Sequence, residues 1–126
     1  MTDCKRYLLI FLAGAVGYCL LEVIWRGRTH PSMAVVGGLC LVLIRMVNHH
    51  FYAKSYFSRA LICAVIISAV EFVSGILLNR ILKLDVWDYS RQPLNILGQI
   101  CPLYSVLWFF LSFGIIYFGN KIPFFR

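Results

Sequence analysis

Four stretches of nearly continuous apolar residues run through the chain, separated by short polar and aromatic connections: Tyr7–Trp25, Met33–Val47, Ala60–Leu82, and a last one from near Asn95 to Gly119. About 20 apolar residues rising 1.5 Å each cross a hydrocarbon core, so every stretch has spanning or near-spanning length. Strands of an outer-membrane barrel would alternate in polarity over about ten residues, and Ala60–Leu78 and Leu103–Phe118 do not. The pattern predicts an all-α membrane protein with four transmembrane helices, forming a single transmembrane helical domain over residues 1–126.

Polar and small residues inside these stretches predict how the helices face each other. The first has one charge, Glu22, and its length and lack of a small-x-small exit mark a span and not a cleaved leader. Ala13, Gly14 and Gly17 thin one side of it, while Ala15, Cys19, Glu22 and Arg26 form a separate stripe on which Glu22 and Arg26 can pair. The second stretch opens after Pro31 and Ser32, contains Gly37-Gly38, and meets Arg45 near its end. At fifteen residues it spans about 22 Å, with room to extend to Phe51. In the third, Ala60, Ala64, Ser68, Glu71 and Gly75 share one face, so Glu71 is expected to look into the bundle, with Asn79 and Arg80 within reach. The fourth is expected to pass Gly98 and Gln99, with Pro102 in its first turns.

The two halves carry the same landmarks in the same order. Leu21-Glu22-Val23 corresponds to Val70-Glu71-Phe72, Arg28 and Pro31 to Arg91 and Pro93, and Gly37-Gly38-Leu39-Cys40 to Gly98-Gln99-Ile100-Cys101. Two tandem helical hairpins, about 7–51 and 60–119, are therefore expected, related by an axis along the membrane normal. Glu22 and Glu71 would occupy corresponding sites. If they approach each other, their repulsion suits uptake of a proton or cation.

Composition sharpens the class. Of 126 residues, 61% are hydrophobic and only 13% charged, with mean hydropathy +0.81, far from the roughly 25% charged residues of a soluble domain. The net charge of +7 comes from basic residues standing singly or in pairs at the segment ends, where headgroups lie, so no nucleic-acid partner is expected. Placing both termini on one side puts Lys5, Arg6, Arg45, Lys54, Arg59, Lys121 and Arg126 there, against Arg26, Arg28, Arg80, Lys83 and Arg91 opposite. The excess slightly favours cytoplasmic termini, and the near-balance is compatible with dual insertion and an antiparallel dimer. Five scattered cysteines without CxxC spacing read as buried thiols. His49 and His50, as sequence neighbours, point apart on a helix, so no metal and no cofactor is expected.

The candidate chemistry lies in the membrane. An acidic side chain at a helix centre costs roughly 2.5–3.5 kcal/mol on insertion scales, so it faces a partner, a cavity or a transported ion. Glu71 is the first candidate and Glu22 the second, with Arg26 and Arg80 as groups that tune them. The connection Lys83–Asn95 gathers Asp85, Trp87, Asp88, Tyr89, Ser90, Arg91 and Gln92. It is either an interfacial aromatic belt or a cap in which Asp88, Arg91 and Gln99 shape an entrance. Loss of Trp87 is expected to loosen this loop more than it weakens the bundle, and a large fall in thermal stability would show that the loop packs inside.

The runs Glu71-Phe72-Val73-Ser74-Gly75, Val86-Trp87-Asp88-Tyr89-Ser90 and Pro93-Leu94-Asn95-Ile96-Leu97-Gly98-Gln99-Ile100-Cys101 resemble the ABC-transporter type IV (CmpB-like) permease family of small helical membrane proteins. Some vertebrate transmembrane proteins are also similar to that family. The resemblance covers nearly the whole chain and includes Gly17, Glu22 and Gly37-Gly38-Leu39-Cys40, but Gly38-Leu39 stands where the family has Gly-Pro. It implies a bacterial cytoplasmic (inner) membrane protein of transporter type. There is no Gly-x-x-x-x-Gly-Lys-Ser/Thr loop, so the chain itself would not hydrolyse ATP.

The expected function is a small transporter or channel component coupled to a proton or cation through Glu22 and Glu71, acting on a small solute or ion. The alternative is a non-transporting membrane module that binds a partner protein or lipid. A lipid enzyme built on Asp85, Asp88 and His30 lacks a nucleophile–base pair at workable spacing, so no enzymatic activity is expected. Four short helices enclose little space, which predicts a homo-oligomer, such as a dimer, or a partner membrane subunit.

Overall fold

The computed structural model describes residues 2–126. Its regular elements are α1 (Asp3–Arg26), α2 (Pro31–His50), α3 (Tyr56–Gly75), which runs on as a π-helical stretch (Ile76–Ile81), and α4 (Pro102–Gly119). All four spans are long and apolar enough to cross a membrane, as the apolar pattern predicts, and among the described residues there is no strand beyond one bridging pair, Ile96 and Ile100.

Helix boundaries follow caps more than hydropathy. Thr2 Oγ1 accepts from the Lys5 amide at 3.3 Å, so the polar residues after it join α1. Gly27, at φ +77°, ends that helix. His30 Nδ1 accepts from the Ser32 amide at 3.1 Å and Pro31 takes the first position of α2. The helix then runs 20 residues, five more than the apolar stretch, so Asn48 joins Arg45 within it. Ser55 Oγ accepts from the Ser58 amide at 3.1 Å, which starts α3 at Tyr56. Arg59 therefore belongs to the first turn of α3 and not, as expected, to the connection before it.

The largest correction concerns α4. It does not begin near Asn95: residues 95–101 are not helical, and Leu97 and Gly98 take φ +54° and +72°. The Asn95 side chain donates to the Ser90 and Gln92 carbonyls and accepts from the Gly98 amide. Local side-chain bonds of this kind compete with a helix and here displace it. Gly98 and Gln99 are thus loop residues, and Cys101 directly precedes the helix, whereas Gly37 and Cys40 lie inside α2.

In the packing, α1 lies on α2, α3 on α4, and α2 on α3. Gly14 and Gly37 bring α1 and α2 together: a Cβ at Gly14 would sit 2.7 Å from the Gly37 carbonyl oxygen, so no larger residue fits. Ile10, Ile44, Cys63, Ile67, Ile116 and Phe125 form the central core. Ala60, Ala64, Glu71 and Gly75 are buried, as the small-residue ladder predicts. Side chains such as Ile24, Val65 and Phe110 stay exposed on the outer surface, where lipid tails are as apolar as they are. Among the described residues the backbones of α1 and α4 stay apart and the helices meet through side chains such as Tyr18 and Trp108, whose ring centroids lie 5.9 Å apart, which leaves a cleft between the two helices.

Candidate functional site

The connection from Leu82 to Cys101 does not lie on top of the bundle. It re-enters, burying Val86 and Trp87 against Met33 and Leu78. Trp87 is only 5% exposed, so the loop packs inside. Its indole Nε1 donates to the Gln99 carbonyl at 3.1 Å. Gly75 makes room for this contact, since a Cβ there would collide with Gln99 and press on Trp87.

Non-helical backbone at membrane depth survives only where protein answers its polar groups. Here Asn79 Oδ1 accepts from the Val86 amide at 2.7 Å and the Trp87 amide at 3.4 Å. Asn79 Nδ2 donates to Gln99 Oε1 at 2.9 Å, and Gln99 Nε2 donates to the Leu97 carbonyl at 2.9 Å. The Tyr89 amide reaches the Gly98 carbonyl at 2.7 Å, closing the loop on itself. Lys83, Asp85, Leu94 and Leu97 all take positive φ, between 51° and 57°. Residues with a Cβ rarely adopt that region, so the surrounding contacts hold this loop against local strain.

The re-entry brings Tyr89 to Glu71. Its hydroxyl donates to Glu71 Oε2 at 3.1 Å, and Trp108 Nε1 of α4 donates to Oε1 at 3.4 Å. Burial, and next the Glu71 carboxylate, push the Tyr89 hydroxyl well above the usual phenol range, so it stays protonated and donates. Tyr89 is also held by stacking on Tyr104, with centroids 4.7 Å apart and planes within 4°. Glu71 is buried, and among the described residues no cation pairs with it.

Glu22 is buried too but is answered differently. Arg26 Nη1 lies 3.5 Å from Oε2, the i,i+4 pair that the stripe predicts, and Thr29 Oγ1 donates to Oε1 at 2.9 Å. Arg26 Nη2 donates to the Val86 carbonyl at 2.6 Å, tying the end of α1 to the re-entrant loop.

A cavity of about 340 Å³ separates the two carboxylates' surroundings: Glu22 and Arg26 stand on one wall, Tyr89 and Trp108 on the other. Glu71 lies behind those two donors. A second cavity of about 460 Å³ shares Tyr18, Leu21, Trp108 and Leu111 with the first and continues along the α1–α4 cleft past Ile115 and Phe118.

The other sequence candidates lie elsewhere. Asp88 is exposed, its carboxylate accepting from the Ser90 amide and hydroxyl at 2.9 and 3.0 Å. Arg91 is exposed, Arg80 donates to the Leu97 carbonyl at 3.3 Å, and the Gln99 amide is engaged inside the loop. Tyr89 and Trp108, which answer Glu71, and Thr29, which answers Glu22, were not singled out by sequence. A polar group in an apolar run is visible there, but the donor that meets it across the bundle carries no signal of its own.

Four membrane-spanning helices around a re-entrant loop and a buried carboxylate define a small integral membrane protein. The chain belongs to the family described as "Putative ABC-transporter type IV", whose sequence profile matches residues 8–124, nearly the whole length. That description is of a transporter-type membrane protein. No solved structure matches the chain.

Proposed function

We propose that this chain is a membrane component of a transporter in which Glu71 takes up a proton or small cation, while Glu22 and Arg26 brace the facing wall. The observation that carries this reading is the setting of Glu71: a buried carboxylate met only by neutral donors, both on the wall of a cavity. A carboxylate so placed has its negative charge available to a mobile cation, whereas Glu22 already has Arg26. The two adjoining cavities along the α1–α4 cleft, which share Tyr18, Leu21, Trp108 and Leu111, offer a route, and a second copy or a partner membrane subunit over that cleft would enclose it. The strained loop that carries Tyr89 is the element whose movement would open Glu71 to the cavity.

The test is proton and cation flux in proteoliposomes across several pH values. Glu71→Gln keeps an oxygen to accept from Trp108 and an amide that can face Tyr89, so the fold is expected to persist while coupled flux is lost. Flux undiminished in that variant removes Glu71 from the mechanism. A second reading, a non-transporting module that binds a lipid or partner helix, is favoured by the apolar middle of the cleft around Leu111, Ile115 and Phe118. Absence of flux from folded wild-type protein would select it.

A further inference from the structure

The end of the bundle away from the re-entrant loop is strongly basic. Lys5, Arg6, Arg45, Lys54, Arg59, Lys121 and Arg126 gather where α1 and α3 begin and α2 and α4 end, and Asp3 is the one acidic side chain there. Two of these cations are 5% exposed, Arg45 and Arg59. Arg45 is met by the Tyr7 hydroxyl and by the Phe125 and Arg126 carbonyls.

Arg59 is placed otherwise. Its Nη1 donates to Asn48 Oδ1 at 2.6 Å and its Nε to the Ser55 carbonyl at 3.5 Å. Its guanidinium lies 4.6 Å from the Tyr56 ring centroid and 5.6 Å from that of Tyr52. Nη2 donates to no group among the described residues, and the ion pair of Glu22 with Arg26 is the only one among them. A buried charge with neutral partners alone is costly, by several kcal/mol per ion, unless a counter-charge arrives.

The space beside it fits such an arrival. Arg59 lines a cavity of about 680 Å³ together with Lys121, Arg126 and His49, and no Asp or Glu side chain borders it. Asn48 and Asn120 bond each other across the α2–α4 gap at 3.0 Å, which sets the Asn48 oxygen that orients Arg59. Lys121, exposed at the rim, rests 4.7 Å over the Tyr117 ring and supplies a second charge. A planar guanidinium with a free edge, backed by a lysine at a helix end, is suited to a phosphate's oxygens. Basic pockets between spanning helices at the headgroup level take lipid phosphates by the same chemistry.

We infer that this cavity binds a phosphate-bearing anion, with Arg59 as its central ligand and Lys121 at its rim. The phosphate comes from a lipid headgroup or from free phosphate. This site is independent of Glu71, so its failure would leave the flux reading untouched.

The experiment uses delipidated full-length protein in a neutral maltoside detergent. Inorganic phosphate is titrated by calorimetry, and phosphatidylglycerol is titrated by native mass spectrometry against diacylglycerol of the same chain length. Saturable binding of phosphatidylglycerol but not of phosphate identifies the lipid source, and binding of both shows that free phosphate suffices. Arg59→Gln should weaken binding about tenfold or more, the loss of a charge-assisted bond of about 1.5–3 kcal/mol. Because Arg59 is buried, Lys121→Gln provides a rim variant that leaves the core alone and should weaken binding about threefold. Phosphatidylglycerol and diacylglycerol binding alike, no binding from any source, or unchanged affinity in both folded variants would overturn the site.

Discussion

Glu22 and Glu71 are the two carboxylates buried within the spanning helices, and their neighbours separate them. Glu22 lies on one helix with its counter-ion one turn away, and Arg26 reaches on to the Val86 carbonyl. Its charge is matched locally and the pair doubles as a brace. Glu71 has only a phenol and an indole, delivered from a loop and from α4. Two acids buried on apolar helices therefore differ in what they leave open: one is paired within its own helix, the other meets only neutral donors beside a cavity. A carboxylate in lipid is thus informative about function only once its partners are known.

The comparison breaks most violently through Trp87. Trp87→Ala empties a buried site under the loop that delivers Tyr89, and loss of a buried Trp costs about 3–5 kcal/mol. A thermal melt should show that fall, while Glu22 keeps Arg26 and Thr29. A small change would mean that Tyr89 reaches Glu71 without the loop's packing. Next comes Glu71→Leu, which strands the Tyr89 hydroxyl and Trp108 indole without an acceptor, at about 1–3 kcal/mol each. Glu71→Gln should melt much closer to wild type, and the gap between the two variants measures the hydrogen bonds apart from the charge.

Smaller effects sharpen the contrast. Glu22→Gln keeps the Thr29 bond and loosens only a long, partly exposed ion pair, so it should cost about 1 kcal/mol and leave flux largely intact. Flux lost in this variant and kept in Glu71→Gln would reverse the assignment of roles. Smallest is a pH effect at Tyr89. Its hydroxyl titrates above the ordinary value of 10.0 in the fold because burial disfavours the phenolate. As pH rises past that value the unfolded chain loses this proton first, so the native state binds more protons and stability declines. Tyr89→Phe should give a shallower fall of melting temperature above pH 10, and an unchanged slope would mean that Tyr89 is not buried against Glu71.

What the chain's own pattern determined is the membrane architecture. Apolar runs of spanning length have one stable outcome in lipid, because each backbone N–H and C=O must find a partner within its own segment. The Glu22–Arg26 pair and the buried face of α3 follow equally, being set by helical spacing. The start of α4 did not follow, because residues 94–101 are as apolar as a helix in lipid, with Leu94, Ile96 and Leu97 exposed on a loop, and hydropathy alone does not distinguish an apolar loop from a helix. Nor was the status of Asn79, Asn95 and Gln99 visible: they satisfy the re-entrant backbone, a demand that exists only once the loop has folded inward. The partners of Glu71 were likewise decided by tertiary structure alone. Tyr89 and Trp108 lie 18 and 37 residues from it, and a hydrogen bond of that span depends on how helices and loop dock, which no local spacing encodes.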